Sequence, residues 1–542
     1  IYSKIALNPL GSFCTKTYSR DSAMAHHSTE ITTKCGRKVL FKKSSKSVTG
    51  FSGVLMFKDA LKKSTFVQNI CDTVNYWFPR DSIFYAYRTR DLIMMRLTRL
   101  ACGLPDFIDG VQFKDDAAVR QAFGRCPSAA TDSRFYNRIG GVCTAVRDKR
   151  IDGNPEDLPK GDPNRIGSSF MTRLNTILLK EAISRAPRHN GFVIIDADST
   201  VIPCYGKQDE IAYCGKQGVN GYYPLHVYIN GYPAWIQNAP GATDGRHLLR
   251  IALEPILQEV IDSGVSPERI LIRADAGFNA NDLIKQIEDK GCKYILGFGQ
   301  NKTVLSKVSE QLLQIPPAPG HPNLPSEIRT RISAHAPKEL RLCSDKDDLP
   351  LFDHPFRICG HVRNYRARSW SMDRTIIYRI DHSAKYDNTD FRFIQTNLTA
   401  EECSRFFLFD GVRKCHTNVW DCPEDFESAE RAIDLYDGLY SDRGNCELWI
   451  REFKESWSGH RMNTLDFFAN WFLMFIAFVG MSFLRGWLTA KLGIKGLKMK
   501  LTTFREKFLR VPALIKVSSK QVVVEFSDKD DEWWRDIDSL IV

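Results

Sequence analysis

Two short apolar runs that end in aspartates constrain the fold of this chain more than any other feature. Residues 192–196 form the first run, which Asp198 follows, and residues 269–273 form the second, which leads to Asp275. Short apolar runs bounded by polar residues are typical of strands buried on both faces of a sheet. In an α/β sheet the carboxyl ends of such strands converge on one crevice. We therefore expect Asp198 and Asp275 to lie close together.

The chain around these two runs alternates between strand and helix patterns. Further strands are expected at 222–229, 234–238 and 293–298, and helices at 248–261 and 281–290. This succession predicts an α/β fold built on a mixed sheet.

The stretch from residue 303 to residue 428 breaks this pattern. It is rich in proline and has short strand patterns at 375–380 and 391–395, so we predict a β-rich inserted subdomain. Two helices are then expected at 429–457 and 465–488. The second contains 18 uncharged residues, 467–484, which is long enough to suggest a membrane span. Asn470 and Ser482 interrupt the apolar run, and we prefer a buried core helix.

The helix at 429–457 places four chemically useful side chains at informative spacings. Tyr440, Arg443, Glu447 and Lys454 lie at offsets of 0, 3, 7 and 14. At roughly 100° per residue, all four fall on one narrow face. A solvated face with Glu and Lys is common, but an added aromatic and an arginine make it less ordinary. The face offers one carboxylate for a metal ion and two cations for phosphate.

The charge balance suits a polyanionic partner. Lys and Arg outnumber Asp and Glu by 75 to 64, which gives a formal charge of +11. Residues 34–46 hold six basic residues and no acid, and residues 485–520 hold ten basic residues and one acid. Either stretch alone reads as a solvated surface. Together, on both sides of a catalytic core, they predict arms that follow a nucleic-acid backbone.

The region 31–147 is expected to be mainly helical. Residues 117–123 and 131–139 form two short helical patterns, and the second carries Arg134 and Arg138 one turn apart. This arrangement resembles a helix-turn-helix that reads DNA. An ordinary helical hairpin explains the pattern equally well.

The 15 cysteines indicate neither a disulfide framework nor a zinc site. They are scattered without a paired Cys-x-x-Cys spacing, and Cys415, His416 and Cys422 come closest to a metal cluster. Scattered cysteines fit a reducing compartment, where most are buried as small apolar side chains. We therefore expect a cytoplasmic protein.

Several motifs together resemble one enzyme family. The pattern Tyr-x2-Arg-x3-Glu-x6-Lys is similar to the signature of DDE transposases of bacterial insertion sequences related to the Tn-five and Tn-ten elements. The segments 196–200 (Asp-Ala-Asp-Ser-Thr) and 273–278 (Arg-Ala-Asp-Ala-Gly-Phe) resemble their first and second aspartate motifs. With Gly-Tyr-Tyr-Pro-Leu at 221–225, the set most resembles the group 1 DDE domain of the thirteen-eighty insertion-sequence family. Tyr223 and Ala276 depart from the residues usual there.

The resemblance implies an RNase H-like catalytic core and a site of three carboxylates. Asp198, Asp275 and Glu447 would hold two Mg²⁺ ions, with Mn²⁺ able to substitute, and Asp198 would bridge both. Tyr440, Arg443 and Lys454 would grip DNA phosphates. Asp196 competes with Asp198, because residues two apart in a strand point the same way.

The resemblance also implies release of the element through a DNA hairpin with a flipped base. Trp420 and Trp370 are candidates to stack on that base, although a buried or surface tryptophan is the commoner role.

These inferences predict a cut-and-paste DNA transposase. Its partners would be the double-stranded DNA of inverted repeats and target, with a homodimer in the synaptic complex and no membrane. A nuclease that never joins strands and a domesticated DNA-binding protein are the alternatives. We divide the chain into an unassigned extension (1–30), a helical DNA-binding and dimerisation domain (31–147), a linker (148–168), two parts of the RNase H-like core (169–302 and 429–489) around the insertion (303–428), and a basic C-terminal region (490–542).

Overall fold

The computed structural model describes most of the chain. The described residues are 30–32, 38–40, 46–80, 85–145, 168–186, 191–314, 326–340, 342, 351, 353–368, 370, 372–386, 388–398, 402, 419–421, 432, 434–527 and 529–541. The extension at 1–29, most of the linker at 148–168 and the cluster of Cys415, His416 and Cys422 lie outside these ranges.

Seventeen strands are assigned within the described residues. They are β1 Glu30–Thr32, β2 Lys38–Leu40, β3 Val48–Thr49, β4 Val193–Ser199, β5 Ile202–Pro203, β6 Ala212–Cys214, β7 Val219–Tyr222, β8 Leu225–Ile229, β9 Tyr232–Gln237, β10 Ile270–Ala274, β11 Lys293–Phe298, β12 Phe356–Tyr365, β13 Arg374–Ser383, β14 Asn388–Thr396, β15 Val419–Asp421, β16 Ala513–Val517 and β17 Val522–Phe526.

The α-helices of the described residues precede, interrupt and follow these strands. They are α1 Val54–Lys63, α2 Thr65–Trp77, α3 Thr89–Ala101, α4 Gly110–Lys114, α5 Ala117–Phe123, α6 Ala129–Ala145, α7 Ser169–Arg185, α8 Gly245–Asp262, α9 Asn281–Asp289, α10 Lys302–Gln314, α11 Ser326–Ser333, α12 Asn445–Arg451, α13 Phe467–Leu492, α14 Ile494–Lys498, α15 Leu501–Phe504 and α16 Asp531–Ile541.

Nine strands form one mixed sheet, in the order β15-β12-β13-β14-β11-β10-β4-β8-β9. At its centre β4 and β11 both run parallel to β10. Antiparallel strands extend it from β4 through β8 and β9, and from β11 through β14, β13 and β12. Because Ala197 pairs with Ala274, the aspartates that follow them emerge at the same end of the sheet.

The central strands confirm the apolar runs as buried strands. β10 is buried along its whole length, and β4 along all but its last two residues. Their β-branched side chains suit a pleated surface covered on both faces. The single strand expected at 222–229 is instead two strands, β7 and β8, separated by Tyr223 and Pro224. Proline cannot donate to a strand ladder, and the Tyr223 amide instead donates to the Ala239 carbonyl at 2.7 Å.

The strands of the stretch 303–428 extend the central sheet. β14 pairs with β11 over four residues, starting with Ile295 beside Thr396, and β13 and β12 follow in turn. The prediction of strands at 375–380 and 391–395 is confirmed, with longer bounds. The predicted β-rich insertion is therefore continuous with the central sheet in its described strands, because β14 supplies the hydrogen-bond partners of β11.

The long helix α13 lies in the core. It packs against β9 and against helices α3, α6 and α7. Its length and apolar composition would suit a membrane span, but its most apolar window is wholly buried within the protein. Asn470 is satisfied inside, where its side-chain amide donates to the Thr464 carbonyl at 3.0 Å. The preferred prediction of a buried core helix is confirmed.

The basic C-terminal region is folded in its described residues, and its contact with a nucleic-acid backbone stays a prediction. β16 and β17 form a hairpin that pairs with β3 near the start of the described chain. α16 docks through Asp536, which pairs with Lys495 at 2.6 Å and with Lys507 at 3.1 Å. The Arg505 guanidinium donates to backbone carbonyls, including that of Ser456 at 2.7 Å. Much of the positive charge is therefore used for internal packing.

Candidate active site

Asp198 lies at the carboxyl end of β4, largely buried. Its Oδ1 accepts from the Ser199 amide at 2.8 Å, and its Oδ2 lies 3.2 Å from Nη1 of Arg443. Burial raises the pKa of the Asp198 carboxyl to about 6; Arg443 opposes the rise, and the nearby carboxylates of Asp275 and Glu447 add to it. Further positive charge beside Asp198 would therefore favour its charged form.

Asp275 follows β10 and begins a turn of 3-10 helix, Ala276–Phe278. Its Oδ1 accepts from the Gly277 amide at 2.9 Å, which fixes the side chain at the start of the turn. The Asp275 charge also contributes to the raised pKa values of Tyr223 and Tyr440, after the larger effect of burial. The sheet thus brings Asp198 and Asp275 into one electrostatic neighbourhood, as their strand ends predict.

Glu447 lies in an irregular helical segment, residues 434–456, that we call the signature helix. It consists of π-helix Asp434–Tyr440, 3-10 helix Ser441–Gly444, α12 and π-helix Glu452–Ser456. The prediction of a helix here is confirmed from residue 434 onward, although its turns are not uniformly α-helical. Wide π-turns are frequent at functional sites because they change the direction in which side chains point.

Arg443 joins two of the three predicted carboxylates. Its Nη2 lies 3.3 Å from Oε1 of Glu447, while its Nη1 contacts Asp198. The Glu447 side chain is 68% exposed, whereas those of Arg443 and Asp198 are each 14% exposed. In this structure the guanidinium lies between the two acids. Across the described residues, no three His, Cys, Asp or Glu side chains are grouped closely enough to hold a metal ion.

Tyr440 and Lys454 border the same site but are held by protein groups. Burial raises the pKa of Tyr440, whose hydroxyl also lies close to Gly297 on β11. The Lys454 ammonium donates to Thr200 Oγ1 at 2.5 Å and to the Val201 carbonyl at 3.1 Å. Burial lowers the pKa of Lys454. Lys454 is thus held against the chain just after Asp198, and the single face shared by all four residues stays a prediction.

Asp196 differs from Asp198 because its carboxylate is paired with the buried Arg273. Both of its oxygens accept from the Arg273 guanidinium, at 2.7 Å from Nε and 2.8 Å from Nη2. The two side chains are 1% and 3% exposed. Arg273 Nη1 also donates to the Leu439 carbonyl of the signature helix at 2.6 Å. Asp196 is thus a buried partner of Arg273, whereas Asp198 lines the cleft.

A cleft of about 470 Å³ opens beside Asp198 and Glu447. Its remaining lining residues are Ser199, Thr200, Val201, Pro203, Ile450, Arg451, Lys454, Glu455 and His460. Sequence reasoning did not single out Arg451 or His460. Arg451 follows Glu447 by one helical turn, which the same helical spacing could have indicated. His460 lies beyond the helix, where its Nδ1 contacts the Lys454 carbonyl oxygen at 2.7 Å.

The predicted helix-turn-helix residues lie on α6. α5 and α6 confirm both short helices, and α6 continues to residue 145. α6 packs against α13, where the ring centroid of Tyr136 lies 5.9 Å from that of Phe472. Arg134 and Arg138 lie on the exposed side, and Arg138 donates to the Tyr85 hydroxyl at 2.9 Å. This face of α6 is accessible to a partner. That is compatible with both a helix-turn-helix and an ordinary helical hairpin.

The two tryptophan candidates differ in what the structure describes. Trp370 is enclosed by an aromatic cluster, with Tyr365 at 5.5 Å and Phe298 at 5.9 Å between ring centroids. The Arg374 guanidinium lies 4.9 Å from its ring centroid. These contacts favour the packing role for Trp370. Trp420 lies in β15, which pairs with β12, but its side chain lies outside the described part of the structure.

The chemistry of these acids, although not their present grouping, suits a hard divalent cation. Asp198, Asp275 and Glu447 supply only oxygen ligands, which Mg²⁺ prefers. The pKa of Asp198 rises with burial and with the charges of the other two acids. A cation among them would relieve both effects, so the donor set suits such an ion.

Comparison with known proteins identifies the family. The model of the family described as transposase DDE domain group 1 matches residues 31–531. The chain therefore belongs to this family of DDE transposases. It is an enzyme, both a transposase and an endonuclease. The cryo-EM structure of a piggyBac transposase synaptic complex with hairpin DNA is similar with a TM-score of 0.40 at 11% identity, over 85% of this chain and 81% of that one. No curated protein matches the sequence.

Proposed function

We propose that this transposase works by cut-and-paste, cleaving at terminal inverted repeats and joining the freed 3′-hydroxyl ends to target DNA. The observation that carries the proposal is the cleft shared by Asp198 and Glu447, with Asp275 at the end of the neighbouring strand, in a chain whose residues 31–531 match the transposase DDE domain. Burial and the charges of Asp275 and Glu447 both disfavour the charged form of Asp198. Such a site is prepared for cations, and a two-metal phosphodiester reaction needs them.

Asp198, Asp275 and Glu447 would hold two divalent ions, Mg²⁺ by preference. Bound there, the ions would activate water or a 3′-hydroxyl and stabilise the leaving oxygen. Arg443 would then be freed from the two carboxylates that it now contacts. Its planar guanidinium suits a phosphate of the DNA strand near the cut. Lys454 keeps its place beside Thr200 and offers a second positive charge, and Tyr440 borders the same phosphate path.

The topology supports an RNase H-like core. Read from β9, the five central strands stand in the order third, second, first, fourth, fifth. The first three are antiparallel and the last two run parallel to the first. The proposed domains keep this core at 169–302 and 429–489, a helical DNA-binding domain at 31–147 and a sheet-extending insertion at 303–428. Arg134 and Arg138 on the exposed side of α6 would contact the inverted repeat.

The proposal includes four finer features of the reaction and of the protein. They are release through a DNA hairpin, a homodimer that pairs two ends, a cytoplasmic location and membership of the thirteen-eighty insertion-sequence group. The motif at 221–225 and the Tyr-Arg-Glu-Lys spacing support the last of these.

A plasmid excision assay tests the proposal. The DNA that flanks the natural gene on both sides, cloned around a marker, supplies the inverted repeats. The wild-type chain with Mg²⁺ is expected to release the marker, and Asp275→Asn is expected to abolish release while folding normally. Addition of pre-cut ends and a target plasmid distinguishes joining from hydrolysis alone. Cleavage that persists in Asp275→Asn would contradict the proposed site.

A further inference from the structure

The turn of the β6–β7 hairpin reaches over the Asp275 side of the site. Lys216 lies in this turn, between β6 and β7. Its Nζ lies 3.3 Å from the point where a Cβ on Gly277 would stand, and Asp275 Oδ1 lies 3.0 Å from the same point. The Lys216 side chain is exposed. An exposed ammonium group therefore lies near a carboxylate of the site, at a position that the sequence motifs did not indicate.

Two tyrosines expose their rings on the same small sheet. Tyr213, in β6, is 59% exposed, and Tyr205, just after β5, is 95% exposed. The Tyr213 hydroxyl lies 3.8 Å from the point where a Cβ on Gly218 would stand, so its ring lies along the turn that carries Lys216. Exposed aromatic rings next to basic side chains are the usual means of holding unpaired nucleotides.

The sheet that carries these side chains is firmly attached to the core. The buried Tyr222 hydroxyl donates to the Asp209 carbonyl at 2.7 Å, and its ring meets Phe467 at 5.5 Å. The Asp209 amide in turn donates to the Leu465 carbonyl at 2.7 Å. Phe467 is the first residue of α13, and Leu465 lies two residues before it. A surface fixed in this way loses little entropy on binding.

We propose that the β6–β7 hairpin, with Tyr205 at its side, is the contact surface for unpaired nucleotides of a DNA strand whose backbone enters the cleft. Lys216 binds a phosphate close to Asp275, and Tyr213 stacks on a base. The base must be unpaired because a paired base within a duplex hides its faces in the stack. This inference rests on the proposed function, and it adds the form of DNA that the site admits.

Binding of the full chain to two labelled probes in EDTA tests the inference. One probe is a blunt duplex, and the other is the same duplex with a single-stranded thymidine overhang. We expect Tyr213→Ala to weaken binding of the overhang probe about tenfold and Tyr213→Phe to retain it, since stacking does not need the hydroxyl. Lys216→Ala should also weaken it and lower the slope of affinity against salt by about one.

Matched controls lie elsewhere on the surface. Tyr386→Ala removes a tyrosine that is 71% exposed, and Lys307→Ala removes an exposed lysine of α10. Both should bind the two probes as the wild type does. Equal affinity of Tyr213→Ala and wild type for the overhang probe would overturn the inference, as would an equal loss on the blunt duplex. Either result would leave Asp275-dependent excision, and so the proposed function, unaffected.

Discussion

The Arg273 guanidinium binds both oxygens of Asp196 and the carbonyl of Leu439 at the same time. Asp196 lies two residues before Asp198, Arg273 two before Asp275, and Leu439 in the helix that carries Glu447. One buried side chain thus connects the three elements that supply the three acids. The ion pair fixes where the acids stand without facing the cleft itself.

Arg273→Met should destabilise the protein strongly. It leaves the Asp196 carboxylate buried without a partner, and removing one member of a buried pair typically costs about 3–5 kcal/mol. Urea unfolding of the full chain measures the change in the free energy of unfolding. The double variant Asp196→Leu with Arg273→Met removes both charges and should recover much of the loss. A single variant as stable as the wild type would contradict the pairing.

Binding of Mg²⁺ should weaken as the pH falls below about 6. The raised pKa of Asp198 means that a proton competes with the ion in this range. Titration calorimetry at pH 5 to 8 measures the affinity. In Glu447→Gln one of the charges that raise the Asp198 pKa is absent, so the pH at which affinity is lost should move lower, although the affinity itself falls. An affinity independent of pH would contradict this role of Asp198.

Without metal, Asp198 should make the protein less stable as the pH rises from about 4 to about 6. Its folded pKa lies above the ordinary value of 3.8, so the stability that the neutral form contributes is present at low pH and is lost as the pH rises through the folded value. Thermal melting in EDTA measures this slope. Asp198→Asn cannot ionise and should show a smaller decrease over the same interval. Identical slopes would show that Asp198 is not the titrating group.

Arg443→Ala should shift the pH dependence of excision as well as reduce its rate. Arg443 lowers the pKa of Asp198, so its removal should move the acidic limb of the activity profile to higher pH. Arg443→Lys keeps a positive charge and should shift the acidic limb less. It still loses the simultaneous contact of one guanidinium with Asp198 and Glu447. Excision rates measured across pH distinguish the two effects. A lower rate with an unchanged limb would mean that Arg443 acts on DNA alone.

Asp437→Ala should slow excision through the position of Tyr440. Its carboxylate accepts from Arg357 and Arg379 of the extended sheet, each at 2.6 Å, and so attaches the signature helix to β12 and β13. Arg379 also lies 4.3 Å from the ring centroid of Tyr436, which contacts Tyr440. We expect a several-fold lower rate at saturating DNA with little change in DNA affinity. Asp390→Ala, which breaks the exposed pair with Arg392, is the matched control.

The sequence was most informative where chemistry and local pattern coincide. The strands that lead to Asp198 and Asp275 follow from apolar runs, and the neighbourhood of Arg443 and Glu447 follows from their spacing of four residues. The separate roles of Asp196 and Asp198 do not follow from such patterns, because the deciding partner, Arg273, lies 77 residues away in the chain.

Long-range contacts also add two features that the local patterns do not state. Strand patterns in the insertion were correctly located, but nothing local states that β14 pairs with β11. The basic residues after Arg485 predict contact with a nucleic-acid backbone, but nothing local shows that Lys495 and Lys507 pair with Asp536. In both cases the local sequence pattern predicts the strand or the basic segment. A residue distant in the chain determines where that segment packs.

The continuous sheet limits how this enzyme can be shortened. The segment between Asp275 and Glu447 is not a detachable module, since β14 supplies the hydrogen-bond partners of β11, and β11 lies next to the strand that leads to Asp275. A variant without this segment would leave the edge of β11 without hydrogen-bond partners, next to β10. Unpaired strand edges promote pairing with other chains. Miniaturised variants for genome engineering would therefore have to cap that edge, or they would aggregate before they cut.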